Sequence, residues 1–181
     1  MIGTFKMTKR IIPMKDFQRP AEVVAEDLMG MMLCRKCPDG TVLRKRICEV
    51  EAYIGPEDKA MHAYRGKTPR NAIMFGPGGY WYVYLCYGVH WLLNMVTGPK
   101  GRPEAVLIRG VEGIVGPGRL TKAYAIGAEE KNTRIRKAGG LWIERGEPFP
   151  AEHVVRTPRI GIDYAEDWVD APLRWVLKPP Q

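Results

Sequence analysis

Two glutamates, a tyrosine and a histidine lie within one short stretch of the chain and could together perform acid–base chemistry. Glu49, Glu51 and Tyr53 alternate with apolar residues, and His62 follows after a Gly-Pro turn. The alternation predicts an extended strand with the first three side chains on one face. The opposite face would be apolar and consist of Cys48, Val50, Ala52 and Ile54. A half-buried strand usually turns its polar face to solvent, so the ordinary alternative is a pair of exposed glutamates without a chemical role.

An aromatic hairpin follows this strand and would bring tyrosine rings to the same region. Residues 80–87 alternate again, with Tyr80, Tyr82 and Tyr84 on one face, and the next residues supply a second strand. A glycine after Tyr87 permits a tight turn, so Tyr87 is predicted near the hairpin tip. Strand tyrosines are most often half-buried, and turn tyrosines often pack on their own strand. The sequence pattern alone therefore does not identify a binding site, either on the strand or at the turn.

Two helices are predicted to flank the sheet that holds these segments. The first begins at Pro20, since proline is favoured in a first turn, and carries Val24 and Leu28 on one face. The second opens at Pro117, and the polar, basic residues 129–140 that follow it are predicted to form a loop.

The remaining pattern predicts several short strands and few helices. Such a composition favours a mixed α/β (α+β) fold with a curved, largely antiparallel sheet, flanking helices and a protruding β-hairpin. We expect one domain over residues 17–181, preceded by an N-terminal arm of residues 1–16. The strands are predicted over residues 32–35, 41–54, 80–87, 89–97, 104–111, 141–145, 159–162 and 173–177.

The charge balance favours a polyanionic partner. The 181 residues contain 28 Lys and Arg against 20 Asp and Glu, which gives a formal net charge of +8. Such a charge suits phosphate contacts, although it does not by itself identify nucleic acid. No apolar run approaches the roughly 20 residues that span a bilayer, so no membrane partner is expected. The 4 cysteines suit neither a disulfide framework nor a zinc site, and we expect no metal and no cofactor.

Taken together, the sequence resembles the alkyladenine (3-methyladenine) DNA glycosylase family. The similarity extends from residue 17 to residue 177, in the family order and at nearly the family spacing. The chain departs from the family pattern at Ala63 and at the bulky pair His90 and Trp91, which surround the predicted pocket. The blocks that carry the resemblance are residues 49–58, Ala60, His62, 68–71, 74–75, 82–84, 87–88, Asn94, 106–109, 116–117, 143–146, 159–162 and 172–174.

The resemblance implies a monofunctional DNA N-glycosylase of base excision repair. Such an enzyme swings a damaged purine out of double-stranded DNA and hydrolyses the bond between the base and sugar C1′, leaving an abasic site. The implied bases are 3-methyladenine, 7-methylguanine, hypoxanthine and ethenoadenine, and the co-substrate is water. We expect a monomer, located in the cytoplasm or nucleoid of a prokaryote or in the nucleus of a eukaryote.

Two residues are assigned to catalysis by the resemblance. Glu51 would take a proton from a water aligned on C1′ while the sugar develops oxocarbenium character. Arg109 would help to place that water, and its positive charge would favour the carboxylate form of Glu51. Glu49 shares the strand face, and only the family match selects Glu51 over it. Without that match, Arg109 would be a solvated edge charge or a phosphate contact.

The resemblance assigns further residues to the DNA. Tyr53, His62 and Tyr84 would sandwich the extruded base and line its edge. Asn94 would exclude normal guanine by crowding its 2-amino group, although an inward asparagine could instead satisfy backbone groups near a strand end. Tyr87 would enter the minor groove and fill the gap left in the base stack.

Two other classes of function fit parts of the pattern. A non-catalytic nucleic-acid-binding module could use the same tyrosines and positive charge, but it would have no use for a pocket carboxylate facing a polyanion. A hydrolase or transferase of small nucleosides would need the pocket without the duplex. Competition by long undamaged DNA and a steep salt dependence would distinguish a DNA enzyme from the latter.

Overall fold

The computed structural model describes residues 11–178, and its sheet is organised around one long strand. This strand, β2 (Val42–Ile54), pairs along one edge with β5 (Glu104–Val111). Along its other edge it pairs first with β1 (Met32–Lys36) and then with β9 (Arg174–Leu177). Side chains of β2 are therefore placed next to those of three other strands.

The remaining strands extend the sheet on both sides. β3 (Trp81–Cys86) and β4 (His90–Thr97) form a hairpin beside β5, and β6 (Ile114–Val115) folds back on β5. β7 (Leu141–Glu144) pairs with β1, and β8 (Val154–Thr157) pairs with β9. The main order is β3-β4-β5-β2-β1-β7, and all neighbouring pairs are antiparallel. The predicted mixed α/β fold with a largely antiparallel sheet is confirmed.

Two α-helices cover the sheet, at the positions predicted from the prolines. α1 (Ala21–Leu28) buries Val24 and Leu28 against β2 and β5. α2 (Pro117–Ala123) lies on β4 and β5 and buries Leu120. Because burial of one valine or leucine side chain contributes about 1.5–3 kcal/mol, these contacts hold both helices on the sheet.

A β-bulge interrupts the ladder between β2 and β5 at the first of the two glutamates. The register shifts on either side of Glu49, so Cys48 on β2 and Arg109 on β5 have no partner across the ladder. Ile47 joins Val50 in the main core, although strict alternation would place them on opposite faces. The predicted simple alternation is therefore wrong at Cys48. Bulges of this kind redirect side chains and are frequent beside active sites.

The β3–β4 hairpin ends in a tight turn that carries an exposed aromatic side chain. Tyr87 and Gly88 at its tip have positive φ angles of 50° and 69°. Both central residues of a type I′ turn have positive φ, and this turn matches the natural twist of a hairpin. Tyr87 is 93% exposed. The structure therefore places Tyr87 at the predicted position on the hairpin tip.

Residues 129–140, predicted to be a loop, carry short 3₁₀ helices and cover the outer edge of β3 where that strand begins. The N–H of Trp81 donates to the carbonyl of Thr133 at 2.8 Å, and the carbonyl of Trp81 accepts from Asn132 at 3.0 Å. The first residues of this edge strand thus have backbone partners on both sides.

One predicted strand is wrong, and two observed strands, the two-residue β6 and β8, were not predicted. Residues 159–162 form no strand, because Gly161 turns the backbone with a φ of 76° and the N–H of Ile160 donates to a side chain. Strand β8 lies in a segment whose sequence lacks a clear alternation. It forms because β9 offers it a free edge.

Most of the predicted N-terminal arm, residues 1–10, lies outside the described residues. Within the described part, Ile11 forms an isolated β-bridge with Glu144, and Ile12 is buried in the main core. The division into an arm of residues 1–16 and a domain of residues 17–181 stays a prediction.

Candidate active site

The register of the sheet brings five side chains into one row. Tyr82 on β3 faces Asn94 on β4, which faces Leu107 on β5. Leu107 in turn faces Glu51 on β2, and Glu51 faces Arg174 on β9. Directly opposed residues of antiparallel strands project from the same face of a sheet. The row therefore runs across five strands on one face.

A cavity of about 780 Å³ opens on this face. Its volume lies within the range of small-molecule sites. Glu51 is not in the cavity wall: it lies behind Tyr53, with 0% of its surface exposed. The structure thus gathers all the predicted site residues around one cavity. Those in its wall are Tyr53, His62, Tyr84, Tyr87, Asn94 and Arg109.

Glu51 is held at both carboxylate oxygens. Its Oε2 accepts a hydrogen bond from the Tyr53 hydroxyl at 2.9 Å, and its Oε1 accepts one from the N–H of Ile160 at 2.9 Å. Nη1 of Arg109 lies 3.3 Å from the same Oε1. A carboxylate has about four acceptor positions, so Glu51 retains capacity for a water molecule. The alternative of two exposed glutamates is wrong, because Glu49 is only 2% exposed and Glu51 is fully buried.

Tyr53 connects the cavity to Glu51. Burial, together with the neighbouring Glu51 charge, raises the pKa of Tyr53 well above its ordinary value of 10.0. The hydroxyl therefore stays protonated and donates to the carboxylate. The guanidinium carbon of Arg159 lies 4.7 Å from the centre of the Tyr53 ring and covers one of its faces. The opposite face of the ring is the one that a flat ligand in the cavity would meet.

A fully buried ion pair supports the backbone around Glu51. Both Arg159 and Asp58 have no exposed side-chain surface, and two hydrogen bonds of 2.5 and 2.9 Å join them. Arg159 also donates to the carbonyl of Ala52 at 3.0 Å. The pair thus ties β2 to the segment whose Ile160 N–H binds Glu51. Sequence reasoning missed both residues as site residues, although both lie in the family-like blocks.

His62 lies in an aromatic cluster on the other side of the cavity. Its Nδ1 is 3.0 Å from the Tyr82 hydroxyl, and its ring centre is 4.4 Å from that of Tyr84. The Arg70 guanidinium lies over the Tyr84 ring at 5.5 Å. Burial, and next the charge of Arg70, lower the pKa of His62 below its ordinary value of 6.5. The imidazole is therefore neutral at pH 7 and can donate one hydrogen bond to a ligand.

Asn94 presents an unpartnered donor at the cavity. It is buried in the row between Tyr82 and Leu107, and within residues 11–178 its amide nitrogen has no hydrogen-bond partner. In the alternative role, the Asn94 side chain would form hydrogen bonds with nearby backbone groups. Its amide nitrogen forms no such bond within residues 11–178. A buried polar group without a partner marks a place where a ligand or water is expected to bind.

The mouth of the cavity combines exposed apolar side chains with positive charge. Arg70 and Arg119 line it. An exposed apolar group of this kind is typical of an interaction site. The exposed apolar residues in the wall are Leu85, Tyr87, Val115, Ile160 and Tyr164.

The described part of the chain, residues 11–178, contains no group of three or more His, Cys, Asp and Glu placed to hold a metal ion. In the same range, no helix is both long and apolar enough to cross a membrane. The four cysteines all lie in this range, and none forms a disulfide there.

An enzyme that acts on a base of duplex DNA must first turn that base out of the stack and receive it in a fitted recess. The aromatic cavity beside an exposed hairpin tip meets this need, and the carboxylate behind the cavity suits hydrolysis of the base–sugar bond. The protein is of the DNA N-glycosylase class, hydrolases of DNA repair. The chain belongs to the methylpurine-DNA glycosylase (MPG) family, whose model matches residues 15–116 and 112–181.

Several relatives are named "Putative 3-methyladenine DNA glycosylase". The one from Anaeromyxobacter dehalogenans (strain 2CP-C) is 46% identical to this chain, over 92% of this chain and 83% of its own. The one from Myxococcus xanthus is 43% identical, over 91% of this chain and 89% of its own. The one from Methanocella arvoryzae is 40% identical, over 93% of this chain and 92% of its own.

Proposed function

We propose that the protein removes 3-methyladenine, 7-methylguanine, hypoxanthine and ethenoadenine from double-stranded DNA and leaves an abasic site. The name of the relatives, 3-methyladenine DNA glycosylase, supports the first of these bases. The neutral His62 and the unpartnered Asn94 nitrogen suit a ring with hydrogen-bonding edges. We further propose that the protein acts as a monomer, with water as co-substrate. Its location would be the cytoplasm or nucleoid of a prokaryote, or the nucleus of a eukaryote.

In the proposed reaction Glu51 is the general base. A water bound to Glu51 attacks C1′, one of its protons passes to the carboxylate, and the base departs with the electrons of the glycosidic bond. Arg109 lies within 3.3 Å of Oε1 and lines the cavity, so it can orient that water. The base would stack on the free face of Tyr53 and against Tyr84.

The observation that carries this proposal is a fully buried carboxylate bonded to a residue of the cavity wall. A purely binding module would gain nothing from such a carboxylate near a polyanion. A small-nucleoside enzyme would not need an exposed aromatic hairpin tip. The test is excision from duplexes that each contain one methylated, deaminated or etheno base. Release of none of these bases would contradict the proposal.

Tyr87→Ser is expected to weaken binding to a lesion duplex by about 1–3 kcal/mol, the scale of one lost base–aromatic stack. The reason is that the exposed ring would no longer fill the gap left by the extruded nucleotide. Titration of a labelled lesion duplex measures the change. Tyr87→Phe keeps the ring and serves as the control. Equal affinity of Tyr87→Ser and wild type would remove the wedge role.

Asn94→Ser is expected to raise the excision of guanine-type bases relative to adenine-type bases, because a smaller side chain leaves room for a 2-amino group. The shift should be about tenfold, the scale on which a pocket discriminates one small group. Competition between two labelled duplexes gives the ratio directly. Thr97→Ser, on the same strand but outside the cavity wall, is the matched control. An unaltered ratio in Asn94→Ser would refute the gating role.

A further inference from the structure

Glu49 has no part in the reaction described above, yet it is nearly as buried as Glu51. Its Oε1 accepts a hydrogen bond from Nε of Arg109 at 3.0 Å and another from Nε of Arg174 at 2.8 Å. Charge-assisted bonds of this kind are stronger than neutral ones and are directional. A buried carboxylate with two such partners holds both guanidinium groups in place.

Arg109 uses different nitrogens for the two glutamates. Its Nε donates to Glu49, and its Nη1 lies 3.3 Å from Oε1 of Glu51. A guanidinium is planar and rigid, so a bond that fixes Nε also fixes the direction of Nη1. Arg109 lies at the β-bulge, where it has no partner across the ladder to β2. Its side-chain direction therefore depends on Glu49 more than on the strand.

We propose that Glu49 is a positioning residue that acts through Arg109, with Arg174 as its second support. The inference rests on the proposed function, since it concerns the same site. Without the Glu49 charge, Arg109 is free to turn fully toward Glu51. It would then occupy the acceptor positions that Glu51 needs for the water.

The test compares Glu49→Gln, Arg109→Lys and the double variant in single-turnover excision of a methylated purine. Glu49→Gln should lower the excision rate constant by about 10- to 100-fold, the cost of a slightly misplaced group. Its affinity for the lesion duplex should stay within about threefold of wild type. In the Arg109→Lys background, Glu49→Gln should cost less than about threefold, because residues that act as a unit are not additive.

Glu144→Gln is the matched control. Glu144 is also buried and ion-paired, with Nε of Arg44 at 3.2 Å, but it lies on β7 away from the cavity. Its variant should excise at the wild-type rate, so a general effect of losing a buried charge is separated from positioning. Should Glu49→Gln not fold, Glu49→Asp with and without Arg109→Lys replaces it, with a smaller loss expected.

The outcomes separate this inference from the proposed function. If wild type excises and Glu51→Gln does not, but Glu49→Gln equals wild type, only the positioning role fails. Full additivity of Glu49→Gln and Arg109→Lys would overturn it as well. If wild type releases no base, the proposed function fails and the positioning role with it.

Discussion

Glu51→Gln is expected to abolish excision of damaged purines while the variant still binds the lesion duplex. The amide has nearly the same shape, so it can keep the bond from the Ile160 N–H, but it cannot accept a proton from water. Loss of a general base costs about 10²- to 10⁴-fold in rate, so no excision is expected within the time that wild type needs to finish. Single-turnover excision measures the rate, and titration of a labelled lesion duplex measures the affinity.

The controls for this prediction separate chemistry from folding. Glu144→Gln loses a buried ion pair elsewhere and should excise normally. Glu49→Gln should be slower than wild type but should retain turnover that Glu51→Gln lacks. A Glu51→Gln protein that excises at the wild-type rate would end the proposed mechanism.

Asp58→Asn is expected to lower the free energy of unfolding by about 3–5 kcal/mol, because it leaves the fully buried Arg159 without its counter-ion. Asp58 also accepts hydrogen bonds from the backbone N–H groups of Ile54 and Ala60, so its carboxylate stabilises the turn that follows β2. Denaturant titration measures the change. Excision should fall too, since Arg159 holds the segment that supplies the Ile160 N–H to Glu51.

The neighbouring residue offers a matched control. Glu57 is paired with Arg102, but about half of the surface of each side chain is exposed. Exposed ion pairs contribute about 0–1 kcal/mol, so Glu57→Gln should leave the unfolding curve nearly unchanged. If Asp58→Asn were no more destabilising than Glu57→Gln, the buried pair would not be the support described above.

The sequence predicted those helices, strands and turns that are signalled by residues close together in the chain. The prolines predicted where α1 and α2 begin, and the alternation of residues 80–87 with the following glycine predicted the hairpin and the place of Tyr87. The strand carrying Glu51 and Tyr53 was also predicted. In each case the signal is a pattern of residues that are close together in sequence.

Features that depend on distant residues were not predictable in this way. The bulge at Cys48 arises from the register between β2 and β5, and the side chains on one strand do not encode it. The Asp58–Arg159 pair joins residues far apart in sequence, and so does the bond from Ile160 to Glu51. The segment of residues 159–162 has a strand-like composition. Its Ile160 N–H, however, donates a hydrogen bond to the Glu51 carboxylate instead of to a neighbouring strand.

The backbone bonds between Trp81 and the segment of residues 129–140 have a consequence for solubility. β3 is the last strand at this side of the sheet, and an edge strand with unpaired backbone groups can pair with the edge strand of a second molecule. Residues 132 and 133 occupy the donor and acceptor of Trp81 and so block the first step of such a junction. Shortening this segment is therefore expected to promote self-association before it affects the chemistry of the cavity.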